Sequence, residues 1–171
     1  ETLALCGLPQ AQVQRNQYTS ASHTARLALV AAQEVGSPDL QWQAWESLAD
    51  AAEARGNAEQ AIFLRKQAVN AIQSLRAGAV NLDKELQRSM LGNKERVYRE
   101  LADGMIARGR LAEAEQVMAM LKEEEYFDFI RRDAAADARQ TTLGASEAEA
   151  PWAERYRLMP HVDRWVVQTA L

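Results

Sequence analysis

The residues of this chain best suited to nucleophilic chemistry are Cys6, His23 and His161. A cysteine peptidase needs a thiolate and an imidazole base within hydrogen-bond reach of each other. Cys6 stands in an irregular lead, and neither histidine stands in a recognisable catalytic block. His23 reads as a helix-surface residue, His161 as a residue near a helix start, and Cys6 as a small buried apolar residue. A lone thiol forms no internal disulfide. Metal binding needs three or four His, Cys or carboxylate ligands at close spacing, and two histidines and one cysteine far apart do not supply them. No Gly-x-Gly-x-x-Gly or Gly-Lys-Ser/Thr loop is present to cradle a phosphate. The expectation is a chain that is not itself an enzyme, with no catalytic residue, no metal and no cofactor.

The remaining charged groups read as surface. Glu123-Glu124-Glu125 suits a solvated helix face, and Arg131-Arg132 suits the surface or a pairing with those acids. A net charge of -4, with both signs interspersed, gives no basic stripe for phosphates, so no nucleic-acid partner is expected. No run of about eighteen apolar residues occurs, so no membrane helix is expected.

The elements that must position any site are helices. Of 171 residues, 47% are hydrophobic but only 6% aromatic, with alanine prominent. Small residues let helices approach closely, and proline and β-branched residues are sparse. Thr19 to Val35 reads as a helix with Ala25, Leu29 and Ala32 on one face. Gly36-Ser37-Pro38 then supplies a C′ glycine, an N-cap and a first-turn proline. Trp45, Leu48, Ala49 and Ala52 form the buried stripe of a helix over 38–55. Gly56 ends it, and Asn57 with Gln60 suits a capping box for the next. That helix, over 57–76, carries Ala61, Leu64, Ala68, Ile72 and Leu75 inward, and Gly78 is expected to break it.

Leu82, Leu86, Met90, Val97 and Leu101 mark a further stripe running to Arg108. It predicts one helix of roughly thirty residues, about 45 Å long, with Gly92 as a kink. Gly109 ends it. A partner helix over 110–121 has Ala114, Val117, Met118 and Leu121 inward, and 122–132 continues as helix around Tyr126, Phe127 and Phe129. Residues 133–145 lose periodicity and read as a linker. Ser146 caps a helix to Met159, and Pro160 starts a short last helix. The domain reading is 1–132 helical repeats, 133–145 linker and 146–171 a C-terminal helical segment. The start at Glu1 suggests a piece of something longer.

Two windows nearly match. Leu48, Ala49, Asp50, Ala54, Arg55, Gly56 and Ala61 recur as Leu101, Ala102, Asp103, Ala107, Arg108, Gly109 and Ala114, with Trp45 matched by Tyr98. An internal repeat of this kind sets architecture. The pattern resembles the tetratricopeptide repeat, in which Trp45 or Tyr98 takes the first aromatic position, Leu-Ala the Leu-Gly pair, Gly the turn and Ala the start of the second helix. Arg65 and Met118 stand where that family has an aromatic, and the terminal proline is missing. The windows are 53 residues apart, against about 34 for the family, which predicts extended helices. The resemblance implies an all-α right-handed solenoid of helical hairpins.

A narrower resemblance covers roughly residues 40–140. Ala61-Ile-Phe-Leu-Arg-Lys-Gln-Ala-Val-Asn70, Gly109-Arg-Leu-Ala-Glu-Ala114 and Leu121-Lys-Glu-Glu-Glu-Tyr-Phe-Asp-Phe-Ile130 are similar to the repeat region of bacterial CHAT-domain proteins, which join such repeats to a caspase-like peptidase domain. It implies that this chain is the repeat portion alone.

Gln43, Glu46, Asp50 and Glu53 share one helix face by spacing, opposite the buried stripe. The repeat resemblance places them in a peptide groove, together with Arg96, Arg99, Asp103 and Ile106 of the second unit. The expected function is a protein–protein interaction scaffold. Its partner would be a protein or peptide, basic at one end, or a downstream domain of the same polypeptide. The alternative is a peptide-sensing regulatory repeat domain. Bare end repeats would also favour self-association.

Overall fold

The computed structural model describes residues 18–79, 94–130 and 142–159. These form six α-helices and one 3-10 turn, with no strand among the described residues. They are α1 (Tyr18–Glu34), α2 (Pro38–Ala54), α3 (Ala58–Ala79), α4 (Glu95–Ile106), α5 (Leu111–Ile130), the 3-10 turn Glu147–Glu149, and α6 (Ala150–Arg157). Cys6, His161 and the aromatic side chains of 126–129 lie outside the described residues.

Three turns are built alike. Gly36, Gly56 and Gly109 have φ of 65°, 77° and 72°, a left-handed conformation that side chains with a Cβ resist. After each glycine the next N–H returns to a carbonyl five residues back. Ser37 donates to Ala32 at 3.1 Å, Asn57 to Ala52 at 3.0 Å and Arg110 to Met105 at 2.9 Å. These bonds satisfy carbonyls that a helix end leaves orphaned. Ser37 also caps α2, its hydroxyl accepting from Leu40 N–H, with Pro38 in the first turn. The two matching windows thus share local structure as well as residues. Trp45 and Tyr98 are both fully buried, as are Leu48, Ala49, Leu101 and Ala102.

α3 is the centre of the molecule. Every residue from Gln60 to Gln73 is buried, whichever face it occupies. α1 packs on α2, and α2 and α4 pack on α3. Ile62 lies 3.4 Å from where a Cβ on Gly104 would stand, so the α3 side chain packs directly over that glycine of α4. Gln73 donates to the Tyr98 hydroxyl at 2.8 Å. α5 returns along α4 with Ala114, Val117, Met120 and Leu121 buried. At the head of α4, Lys94 is buried. Its ammonium lies 5.1 Å from the Trp42 ring centroid and 3.5 Å from Asp39, tying α4 to the start of α2.

The third side of α3 is covered by chain far away in sequence. Leu143 is buried, and Tyr156 on α6 inserts between α2 and α3, its ring centroid 5.3 Å from Trp45 and 5.9 Å from Phe63. Ser146 and Glu149 form the capping box that starts this segment.

The helix lengths differ from expectation in two places. α3 runs through Gly78 to Ala79, because a glycine in a last turn forfeits little when the rest of the helix is enclosed on all sides. The helix expected from Leu82 to Arg108 is interrupted: Lys94 is not helical and α4 starts at Glu95. Gly92-Asn93 precede it in sequence, and both residue types have poor helix propensity. The stretch 80–93 lies outside the described residues.

Candidate functional site

Two charged clusters flank α3. The first gathers on Arg65, whose residue is only 4% exposed. Its Nη2 lies 2.6 Å from Glu53 Oε2, 3.1 Å from Asp50 Oδ1 and 3.4 Å from Glu100 Oε2, and its Nε lies 3.6 Å from Glu46 Oε1. Glu46, Asp50 and Glu53 follow helical spacing on α2, so α2 presents three acids in a row to one guanidinium, and α4 adds Glu100. Arg96 reaches in from the rim, 2.8 Å from Glu100 and 3.8 Å from Glu46. Four carboxylates therefore meet two guanidiniums.

Glu46 is the enclosed member, 1% exposed. Neither of its oxygens receives a hydrogen bond, and neither does Glu100 Oε2. Burial pushes the Glu46 carboxyl up to about 8. Arg65 opposes the rise, while Glu100 and Asp50 reinforce it. Asp50 is raised as well, by burial and by Glu100, against the pull of Arg65. Burial works against the charge on Arg65, but Glu46, Glu53 and Asp50 outweigh it and hold the guanidinium above its ordinary value.

The second cluster gathers on Lys66 and Arg110. Lys66 Nζ donates to Glu113 Oε2 at 2.8 Å and to the Gly144 carbonyl at 2.9 Å, and lies 3.0 Å from Glu149 Oε1. Arg110 donates to both Glu113 oxygens, to Glu149 Oε1 at 2.5 Å and to Glu59 at 3.2 Å. Glu149 is fully enclosed, and its other oxygen accepts the Ser146 N–H. Hydrogen bonds from Arg110 and Lys66 hold the Glu113 carboxyl down to about 2, against some desolvation. Charge here is balanced: Glu59, Glu113 and Glu149 face Lys66, Arg110 and, at 3.8 Å from Glu59, Arg108. Next to it, the Asn70 amide donates to the Leu143 carbonyl at 3.0 Å and accepts the Leu143 N–H at 2.8 Å. One side chain thereby reads both main-chain groups of a non-helical segment.

The groove candidates fall into two sets. Gln43, Glu46, Asp50 and Glu53 do share a face of α2. That face is turned to Arg65 and α4, with Glu46 enclosed and Gln43 donating back to Asp39. Only Glu53 of the four is exposed, and its carboxylate is engaged by Arg65. Arg96, Arg99, Asp103 and Ile106 are all exposed on α4. Arg99 pairs with Glu95 and Arg96 with Glu100. Glu95, Arg96, Arg99 and Glu100 line a shallow hollow of about 460 Å³. His23 is exposed on α1. No described helix is long and apolar enough to cross a membrane.

Sequence reasoning missed the centres of both clusters. Arg65 had one visible signal: it occupies the place the tetratricopeptide resemblance gives to an aromatic core residue, so an enclosed position was implied. Lys66, Asn70 and Glu149 gave no comparable signal.

No protein-family model matches the chain, and neither a curated protein nor a solved structure matches it.

Proposed function

We propose that this chain is a helical-hairpin binding module of the tetratricopeptide type, the repeat portion of a longer bacterial protein, and that it holds a protein or peptide rather than catalysing a reaction. The observation that carries this reading is the equivalence of the two windows: the same residues, the same left-handed glycine turn and the same enclosed aromatic at each hairpin. Repeats that share packing and turn residues leave their differences for recognition. The differences that reach the surface lie on α4, where Arg99 replaces Glu46 and Ile106 replaces Glu53.

The recognition face on this reading is the outer side of α4, with Arg96, Arg99, Asp103 and the exposed Ile106. Leu111, just beyond the Gly109 turn, is a further exposed apolar residue, at 63%. Such a face suits a peptide with an apolar anchor and charges of both signs. Glu46, Asp50 and Glu53 of α2 face Arg65, so a basic peptide end has the exposed Asp103 of α4.

Panning a random peptide library on the immobilised chain tests the reading. Enriched peptides should bind with micromolar Kd and lose about tenfold or more in the double variant Arg99→Glu, Ile106→Ala. Failure to enrich any sequence, or binding unchanged in the double variant, would sink it.

A further inference from the structure

We propose that Glu46 holds a proton directed at Glu100 across the α2–α4 gap in the folded state, and that this proton makes the seating of α4 against α2 and α3 sensitive to pH near neutrality. One oxygen from each of Glu46, Asp50 and Glu100 lies within 4.8 Å of the other two. Glu46 is enclosed, and both its oxygens, together with Glu100 Oε2, lack a donor. Buried acceptors without donors are strongly disfavoured. A proton on one carboxyl turns it into a donor to the other and removes a negative charge from a cluster that holds too many.

Among the described residues, the charged groups facing Glu46 come from three helices. From its own helix come Asp50 and Glu53, from α3 Arg65, and from α4 Glu100 and Arg96. The two guanidiniums offset two of the four acids. Arg65 reaches all four carboxylates, so the place a metal cation would take is already held by a fixed cation. A proton is the remaining neutralising species for two carboxyl groups whose oxygens lie within 4.8 Å.

The direction of the effect follows from which state binds the proton. The folded Glu46 carboxyl titrates at about 8, against an ordinary value of 4.5. Between those values the folded chain holds a proton that the unfolded chain has released. Stability from this pair is therefore complete below about pH 4.5 and is lost as pH rises through about 8. Loss of the proton leaves adjacent carboxylates on α2 and α4 facing each other in a buried gap, which drives the two helices apart.

Thermal unfolding of the whole chain between pH 5.5 and 8.5 tests the proposal, with E46Q, E100Q and the control E95Q, which removes an exposed acid from the same helix. The wild type and E95Q should lose about 5 °C or more in Tm over this range. E46Q and E100Q should lose much less, and E46Q should match or exceed the wild type at pH 8.5. A wild-type Tm that does not fall, or E46Q and E100Q profiles parallel to that of E95Q, would overturn the proposal. Where the variants fail to fold, a wild-type Tm that does not fall still overturns the proposal, and a carboxyl titration of Glu46 in the wild type, which should fall near 8, replaces the variant comparison. Addition of Ca²⁺ or Mg²⁺ at pH 8.5 should leave the wild-type Tm unchanged. A rise that is absent in E46Q would assign the neutralising role to a metal ion and overturn the proton.

Discussion

Arg65 and Lys66 are neighbours in sequence, and the helical repeat turns them about 100° apart on α3. Each is a buried cation surrounded by carboxylates, yet the two surroundings behave in opposite ways. Around Lys66 the charges balance, the contacts are well-formed hydrogen bonds, and Glu113 is held down to about 2. Around Arg65 the acids outnumber the bases, Glu46 has no hydrogen-bond donor, and its carboxyl rises to about 8. Buried charge is stabilising only when every partner is satisfied. One face of α3 meets that condition with fixed side chains, and the other meets it by binding a proton.

The contrast is broken most severely at Arg65. Arg65→Ala leaves Glu46, Asp50 and Glu100 with Arg96 alone, and should cost about 4 kcal/mol at pH 8. The cost should be smaller at pH 5, where the cluster takes up protons. Denaturant unfolding at the two pH values measures both, and equal losses would contradict the acid excess. Glu149→Ala is the matching change on the other face. It strips Lys66 and Arg110 of their enclosed partner and should cost about 3 kcal/mol, by nearly the same amount at pH 5 and pH 8. A strong pH dependence there would erase the distinction between the faces.

Two smaller changes sharpen it. Asn70→Ala leaves the Leu143 N–H and carbonyl without partners and should cost about 2 kcal/mol. Hydrogen exchange at the Leu143 amide should speed up in step, and an unchanged rate would mean that Asn70 does not hold the segment. Arg99→Ala removes an exposed pair with Glu95 and should change stability by less than about 0.5 kcal/mol. A larger loss in denaturant unfolding would show that the rim of α4 is part of the core arrangement rather than a recognition face.

Much of the local fold was legible in the residues. Gly36-Ser37-Pro38, Gly56 and Gly109 announced three turns, since a glycine that must go left-handed and a serine that must cap a helix leave plain marks. The stripes Trp45, Leu48, Ala49, Ala52 and Ala61, Leu64, Ala68, Ile72 named true core positions. The burial of α3 on every side was less legible, although Ile62, Phe63, Val69 and Ala71, lying off the stripe, were the trace it left. The docking of Tyr156 against Trp45 left no trace, because it joins residues far apart in the chain and no local period encodes that.

The site was legible only in outline. Glu46, Asp50 and Glu53 fell on one face as their spacing predicts, but spacing cannot say whether a polar face meets water or another helix. Arg65 decides that, and it does so from a position where its residue type departs from the repeat pattern. On α4 the same offsets reach the surface, because no other described residue encloses the side of α4 away from α3 at those positions.

The most direct test of the contrast is a side-chain carboxyl titration by NMR in which Glu46 and Glu113 are followed in one sample. The two should separate widely, Glu46 titrating at about 8 and Glu113 at about 2. Stability would then fall through Glu46 as pH rises from about 4.5 to about 8, and fall through Glu113 as pH drops from 4.5 towards 2, where its depressed carboxyl loses the contribution it makes above its ordinary value. Two carboxyls titrating together near 4.5 would contradict the account.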